Sequence, residues 1–367
     1  MSTQPRILVT SAAGKTGLPV ALQLLTKGVR VRAFVRSRDH RADRLKAAGA
    51  EVFFGNQYDM SDLRTAMQGV QRAYQCAPTA PNGLHFNAAF TAAAFEAKIE
   101  HVVTLGQWLS SVDHPSLFTR EVYISDILIG MRPEMSVTTI NPGWFADNYL
   151  MGVGLAAHLG ILAMPLGDGE TCKNAPPSNE DIARVAVAAL LDPDTHSGQT
   201  YRPTGPELIS PNQIAHDIGE VLGRRVRYMD ISERMMLKAL KAMPPSNYSE
   251  AAASQLALYS EEYRRGTFAV NAPTDAVARL GGQEPESFLT IAKRTVAARL
   301  DLVRSTSRTI AAMGGFVRML LTQPPDLDQV ANDRDFVSIA IPKFSQDDPA
   351  WRRTHAVSNV PNSREVA

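Results

Sequence analysis

The stretch Arg6-Ile-Leu-Val-Thr-Ser-Ala-Ala-Gly-Lys-Thr-Gly17 constrains the fold of this chain more than any other. It opens on Ile7 to Val9, an apolar run short and β-branched enough to be a fully buried strand. Small residues follow, with Gly14 and Gly17 three apart, and then an apolar helical pattern through Leu18, Ala21, Leu22 and Leu25. Strand, tight turn and helix in that order make the first unit of a dinucleotide-binding α/β fold. Backbone N–H groups and the helix dipole favour a pyrophosphate at such a helix N-terminus. Thr10, Ser11, Ala13, Gly14, Lys15, Thr16 and Gly17 are the loop residues expected to surround it.

The alternation continues. Val29 to Val35 reads as a second strand, with Arg36 and Arg38 directly after it. An acid at that place binds the 2′-hydroxyl of NAD, whereas an arginine accommodates a 2′-phosphate. The next acid is Asp39, so the pattern points to NADP(H). The alternative reading of Arg36 and Arg38 is as solvated surface charges. Val52 to Phe54 leads into Asn56 and Gln57 near the adenine, and a short helix spans Asp62 to Met67. A fourth strand, Ala73 to Pro78, ends with Ala77 and Pro78 facing the cofactor. A helix from Phe86 to Lys98 precedes a fifth strand, His101 to Leu105. Gly106 and Gln107 then stand at its carboxyl end, where open parallel sheets place ligands. A helix over Tyr123 to Gly130 and a strand over Val137 to Ile140 follow, and Pro142, Gly143 and Trp144 turn off that strand. The pattern predicts a Rossmann-type, doubly wound parallel sheet covered on both faces.

Beyond Asn148 the pattern loosens. Asn179 to Leu191 reads as a helix capped by its own Asn and acids. Gln199 to Arg202 is a returning strand, Pro211 to Leu222 a helix, Val226 to Ile231 a strand, and residues 233–290 a helical lid. Three parts are therefore expected: an NADP-binding domain over 1–150, a smaller α/β substrate region over 151–290, and a helical extension over 291–367.

Composition excludes several classes. The 367 residues carry a net charge of +1, with 44% hydrophobic and 20% charged residues, which gives no reason to invoke nucleic acid. The two cysteines, Cys76 and Cys172, make neither a disulfide framework nor a metal site. His85, His101 and His114 show no metal spacing either. Ser2 to Pro5 is too short and polar for a signal peptide, and no apolar run approaches the roughly 18 residues of a membrane span. A cytoplasmic protein acting on a small molecule is the expectation.

Four segments together resemble the NmrA-like family of atypical short-chain dehydrogenase/reductases. They are Ile-Leu-Val-Thr-x-Ala-x-Gly-Lys-Thr-Gly, Val-Arg-Ala-Phe-Val-Arg, Asn-Pro-Gly-Trp-Phe-x-Asp-Asn and Pro-Pro-Ser-Asn-Glu-Asp-Ile-Ala, within about residues 6–290. The resemblance implies a Rossmann fold, NADP(H) and a small substrate region. The family includes quinone, dye and phenylpropanoid reductases and also redox-sensing regulators, so membership fixes the cofactor better than the reaction. Two departures matter. Ser11 sits where the family has the first glycine of the loop, and serine is acceptable there if φ stays negative. None of the nine tyrosines has a lysine four residues on, so the Tyr-x-x-x-Lys proton donor is missing. The active-site lysine that many members keep before a Glu-Val helix start is Thr119 here. Arg120 beside it is a poor acid.

Without that pair, the expected chemistry shifts toward acceptors that spread charge: quinones, enones and iminium ions. Tyr123, Thr119 and Gln107 are the candidate hydrogen-bonding catalytic groups. His85 is a weaker alternative acid. Phe86, Trp108, Phe118, Trp144 and Phe145 are candidates for an aromatic pocket, or else ordinary packing. Cys76 reads as a small buried hydrophobe. An NADPH-dependent reductase of a flat conjugated molecule leads. The alternatives are a non-enzymatic NADP(H) sensor and a non-redox isomerase or cyclase that retains the cofactor.

Residues 292–321 carry one helical stripe: Val296, Leu300, Val303, Ser307, Ile310, Gly314, Val317 and Leu321. Lys293 and five arginines lie on the other faces. The stripe is expected to dock on its own domain or on a second subunit in a homo-oligomer, with a membrane surface as the alternative. From Pro324 to Pro349 the charge turns acidic, and this arm is expected to fold back on the basic helix or on a neighbouring protomer.

Overall fold

A computed structural model describes residues 4–78, 82–242 and 249–356. The alternation read from the sequence is present as β1 (Arg6–Val9), α1 (Gly17–Thr26), β2 (Arg30–Val35), α2 (His40–Ala47), β3 (Glu51–Phe54), α3 (Met60–Met67), β4 (Arg72–Gln75), α4 (Gly83–Glu96), β5 (His101–Leu105), α5 (Leu117–Gly130) and β6 (Ser136–Ile140). After α6 (Ala146–Leu150), α7 (Val153–Leu159) and β7 (Ile161–Met164), the chain returns through α8 (Asn179–Leu191) and α9 (Pro193–His196) to β8 (Thr200–Tyr201). The seven-stranded sheet runs β3-β2-β1-β4-β5-β6-β8 and is parallel throughout. The order turns back on either side of β1 and β4, which opens a crevice at their carboxyl ends.

Apolar side chains fill both faces. Val20, Ala21 and Leu24 of α1 share one core with Ile182, Val185 and Ala186 of α8. Leu63, Phe86 and Phe90 of α3 and α4 fill the other. The cap of α8 is Ser178, one residue before the expected asparagine, and its Oγ accepts the Asp181 N–H at 2.9 Å.

A second lobe contains α10 (Pro211–Val221), β9 (Arg227–Asp230), α11 (Glu233–Lys241) and α12 (Glu250–Arg264), whereas α13 (Ala276–Gly281) packs back on α8 in the sheet core. Strand β9 pairs with β7 in a separate two-stranded parallel sheet. The extension then forms α14 (Phe288–Ala297), α15 (Thr306–Leu321), α16 (Leu327–Asp333) and α17 (Pro349–Ala356).

The extension departs from its sequence reading in three ways. The expected helix over 292–321 is two helices, broken by a 3₁₀ turn at Leu300–Leu302, with Ser305 capping α15. The predicted docking stripe faces outward: Leu300, Val303, Ile310, Val317 and Leu321 are all more than half exposed. Helix α15 instead docks on α7 and α11, and the residues it turns inward are Ala312, Gly315, Phe316 and Met319. The large apolar residues of the stripe are thereby left outside. The acidic arm does not return to the basic helix. Asp347 pairs with Arg265 at 2.9 Å, and Asp348 accepts the Ser111 hydroxyl at 2.6 Å. Meanwhile Arg294 pairs with Glu180 and Glu286, and Lys293 with Glu220.

Candidate active site

The glycine loop joins β1 to α1 at the crevice. Ser11 takes φ +47°, so the expectation of a negative φ was wrong. Three hydrogen bonds hold it in that left-handed conformation: its N–H to Gln57 Oε1 (3.0 Å), and its hydroxyl to the Cys76 carbonyl (2.9 Å) and Gln57 Oε1 (3.3 Å). A side chain at Gly17 is barred by the loop backbone, because a Cβ there would stand 2.3 Å from the Ser11 carbonyl oxygen. Thr16 supplies no side-chain cap to α1, and no acid occupies its first turn. The Leu18 N–H already bonds the Gly14 carbonyl and Pro19 has none, so that end offers an anion the N–H groups of Lys15, Thr16 and Gly17 and a positive partial charge. Thr10 is internal, its hydroxyl bonded to the Tyr74 carbonyl and the Cys76 N–H. Lys15 reaches across the cleft to Asp147 at 3.5 Å. Burial pushes the Cys76 thiol up, in keeping with an inert sulfur.

At the ribose end, Arg36 and Arg38 are exposed, and the Arg38 guanidinium lies 4.1 Å from the centre of the Phe54 ring. Asp39 is already engaged. It caps α2 through the N–H groups of Arg41 and Ala42, and the Arg41 guanidinium holds its carboxyl down to about 2. Arg41 also donates to the Ala13 carbonyl at 3.1 Å, tying α2 to the glycine loop. The sequence reading missed this arginine. Gln57 props the loop, whereas the Asn56 side chain only closes a turn onto the Tyr58 N–H. Ala77 and Pro78 follow Cys76, half-buried at the carboxyl end of β4.

At the other end, helix α5 begins at Leu117, two turns before its expected start, with Ser116 as cap. That places Thr119 in its first turn. Gln107, just after β5, accepts hydrogen bonds at Oε1 from the Thr119 hydroxyl (3.1 Å) and the Tyr259 hydroxyl (3.1 Å). The two hydroxyls are themselves 3.3 Å apart. Tyr259 lies on α12, and burial pushes its phenol up against the opposing effect of hydrogen bonds with Thr119 and Gln107. Tyr123, the expected donor, is half-exposed and makes no side-chain hydrogen bond among the described residues. His85 meets only the Tyr58 carbonyl, at 3.3 Å.

Beside this cluster, Gly106 is flanked by two acceptors. A Cβ there would stand 2.2 Å from Asn141 Oδ1 and 3.3 Å from Asp126 Oδ2. Asn141 Oδ1 and Asp126 Oδ1 are buried without a partner among the described residues. Burial pushes the Asp126 carboxyl up to about 7, and only Ser110 donates to it, at 3.3 Å. Pro142 and Gly143 carry the chain past this point, with the Pro142 carbonyl accepting the Trp108 N–H at 3.0 Å.

The five aromatic candidates do not meet at one mouth. Phe86 packs on Phe90 beneath the sheet, since α4 starts at Gly83 and turns that face inward. Trp108 is fully buried: its indole donates to the Thr267 carbonyl, and its own carbonyl accepts the Trp351 indole. Phe118 lies against Phe336 of the carboxy-terminal arm. Phe145 is half-buried against the sheet core. Trp144 is the one of the five that lines the cavity of about 650 Å³ enclosed by α7, β7, α11 and α15. It packs among Tyr149, Tyr263 and Phe268, and Asn174 holds its carbonyl at 2.8 Å.

The described residues contain no cluster suited to a metal and no helix long and apolar enough to cross a membrane. An NAD(P)H azoreductase of Xenophilus azovorans is 29% identical over 293 residues, covering 80% of this chain and 98% of that one. An NADPH-dependent quinone oxidoreductase of Escherichia coli, solved with NADPH, has a TM-score of 0.68 at 22% identity, covering 79% of this chain and 99% of that one. NmrA, a negative transcriptional regulator solved with NADP, has a TM-score of 0.67 at 16% identity, covering 82% and 99%. Those two structural likenesses bear on the fold alone. Residues 3–278 match the NmrA-like family from end to end of the sheet and into the second lobe, and the chain belongs to that family.

Proposed function

We propose that the protein is an NADPH-dependent reductase of a flat, conjugated acceptor such as a quinone or an azo compound. The observation that carries this reading is the Tyr259–Gln107–Thr119 cluster, which lies on the same sheet edge as the glycine loop and has no lysine among its partners. Ser11, Gly14, Gly17 and the open end of α1 would hold the pyrophosphate. Arg36 or Arg38 would meet the 2′-phosphate, since Asp39 is committed to Arg41. Gln107 and Asn141 would hold the nicotinamide end.

When bound, NADPH supplies a hydride, and one further proton completes a hydroquinone or hydrazine product. Gln107 takes two hydroxyl protons at its oxygen, which leaves its amide N–H groups to donate to an acceptor oxygen or nitrogen. A phenol pushed up by burial donates a hydrogen bond but is a weak acid. Such groups orient an acceptor without having to protonate an alkoxide, which suits acceptors that spread the incoming charge. The azoreductase relative supports the same substrate class.

Reduced-nicotinamide absorbance followed with a panel of quinones, azo dyes, enones and iminium compounds tests this. Turnover with at least one class is expected, and Tyr259→Phe should lower kcat about tenfold to a hundredfold, at or below the usual contribution of a positioned proton donor. Tight NADPH binding with no oxidation across the panel would overturn the reading. It would favour a sensor of the nicotinamide pool.

A further inference from the structure

The cavity between the second lobe and α15 has a wall that the family match does not reach. That match ends at residue 278, and α15 begins at Thr306. The azoreductase relative is likewise matched over 98% of its length by 293 residues of this chain. Helix α15 lies over the cleft, facing Trp144, Met164 and Met236 with Ala312, Gly315 and Phe316. A Cβ at Gly315 would meet nothing within 4 Å, so the helix spans open space here rather than packing tightly. The volume of about 650 Å³ is that of a site for a small organic molecule.

Two wall atoms, Trp144 Nε1 and His158 Nδ1, are buried without a partner among the described residues, and the other polar groups around this space are largely occupied. Arg308 donates to the carbonyls of Leu300 and Val303 (3.0 and 2.7 Å), and Arg318 donates to that of Ala242 (3.0 Å). His158 bonds to the Asp301 carbonyl, the Asp301 carboxylate pairs with Arg299, and Ser260 donates to the Leu256 carbonyl. A ligand entering here finds methionines, methyl groups and aromatic edges, with its charge-reading partners already taken. Burying apolar surface is then the main source of affinity.

We propose that α15 turns the cleft over α7, β7 and α11 into a roofed apolar pocket that binds the hydrocarbon tail of the acceptor, whose conjugated ring lies at the Trp144 end. The proposal rests on the reductase reading above, and it makes the carboxy-terminal extension the determinant of substrate length. A ten-carbon tail brings several buried methylenes, each worth about 0.8 kcal/mol when fully transferred from water.

The full-length chain is tested with two glycine variants. Gly315→Leu places a side chain in the cavity. Gly314→Leu, next to it on the exposed face, makes the same exchange of helix residue but points away. Both exchanges raise helix propensity, so neither is expected to impair folding. Diphenylhexatriene, a neutral rod that fluoresces in apolar surroundings, should bind the parent and Gly314→Leu alike, and Gly315→Leu at least tenfold more weakly. With NADPH and benzoquinones bearing no tail, five carbons or ten carbons, KM should fall at least tenfold along the series for the parent. For Gly315→Leu it should stay flat, with the tail-less quinone unaffected. Equal probe binding by all three proteins, or none by the parent, would overturn the pocket. Absence of turnover with every quinone would count against the reductase reading while the probe arm still decides the pocket.

Discussion

Residues 11–17 and 311–315 each place two glycines at a helix, yet for opposite reasons. In the first, a Cβ at Gly17 or Gly14 would come within 2.3 or 2.9 Å of the Ser11 carbonyl oxygen. The backbone fills the space itself, as a loop wrapped closely around a phosphate site must. In the second, nothing lies within 4 Å of a Cβ at Gly314 or Gly315. There the missing side chains leave volume, outside the protein at Gly314 and inside the cavity at Gly315. Glycine in one region records close approach, and in the other it records room. The two regions also differ in how they are held. The loop is fixed by hydrogen bonds to β4 and β3 neighbours, whereas the extension is fixed by a few large anchors.

The largest anchor gives the largest expected effect. Trp351 on α17 is almost fully buried, donates its indole N–H to the Trp108 carbonyl at 2.8 Å, and stacks on His355 at 3.8 Å. Through Trp108 it bears on the segment that carries Gln107. Trp351→Ala should cost about 3–5 kcal/mol, the usual range for removing a buried tryptophan. Denaturant unfolding measures this directly. A loss below about 1 kcal/mol would mean that the extension is an appendage, and the contrast drawn between the regions would fail.

The glycine loop comes next. Gly17→Ala pushes a methyl group onto a backbone oxygen that cannot move without the loop, so about 1–3 kcal/mol of overpacking is expected. The site should suffer more than the fold. A shift in the loop moves the N–H groups that face the anion, and NADPH affinity measured by fluorescence titration should fall about a hundredfold, some 2.7 kcal/mol. Unchanged NADPH affinity would show that the loop is not the phosphate site.

These two regions also mark what the sequence disclosed. The loop and the six-strand alternation were legible because β-strand and helix periods and the position of glycine follow from backbone geometry, which is local. Gln107 was identified on the same grounds, from its place after β5, whereas Thr119 was identified through the family resemblance, as the residue where many members keep a lysine. Tyr259 was not, since it is 152 residues from Gln107 along the chain and only the folding of α12 over the sheet edge brings them together. The aromatic pocket was overread for a related reason. Phe86 and Trp108 lie close in sequence to the right strand ends, but their faces are decided by where α4 begins and by a tryptophan near the carboxyl terminus. In α15 the predicted stripe did not mark the buried face, because the helix turns Ala312, Gly315, Phe316 and Met319 inward instead.

The smallest effect is the one that separates the two kinds of glycine. Alanine at Gly315 meets no neighbour, and α15 is a regular helix at that point. Replacing a glycine inside a helix by alanine restricts the unfolded chain, and where space permits it stabilises by about 0.5–1 kcal/mol. Gly315→Ala should therefore raise the unfolding midpoint, while the same exchange at Gly17 lowers it. Opposite signs for one chemical change would establish that close approach governs the loop and open volume governs the extension. If Gly315→Ala were destabilising, α15 would have to lie closer to the second lobe than the cavity beneath it requires, and the room assigned to a hydrocarbon tail would shrink accordingly.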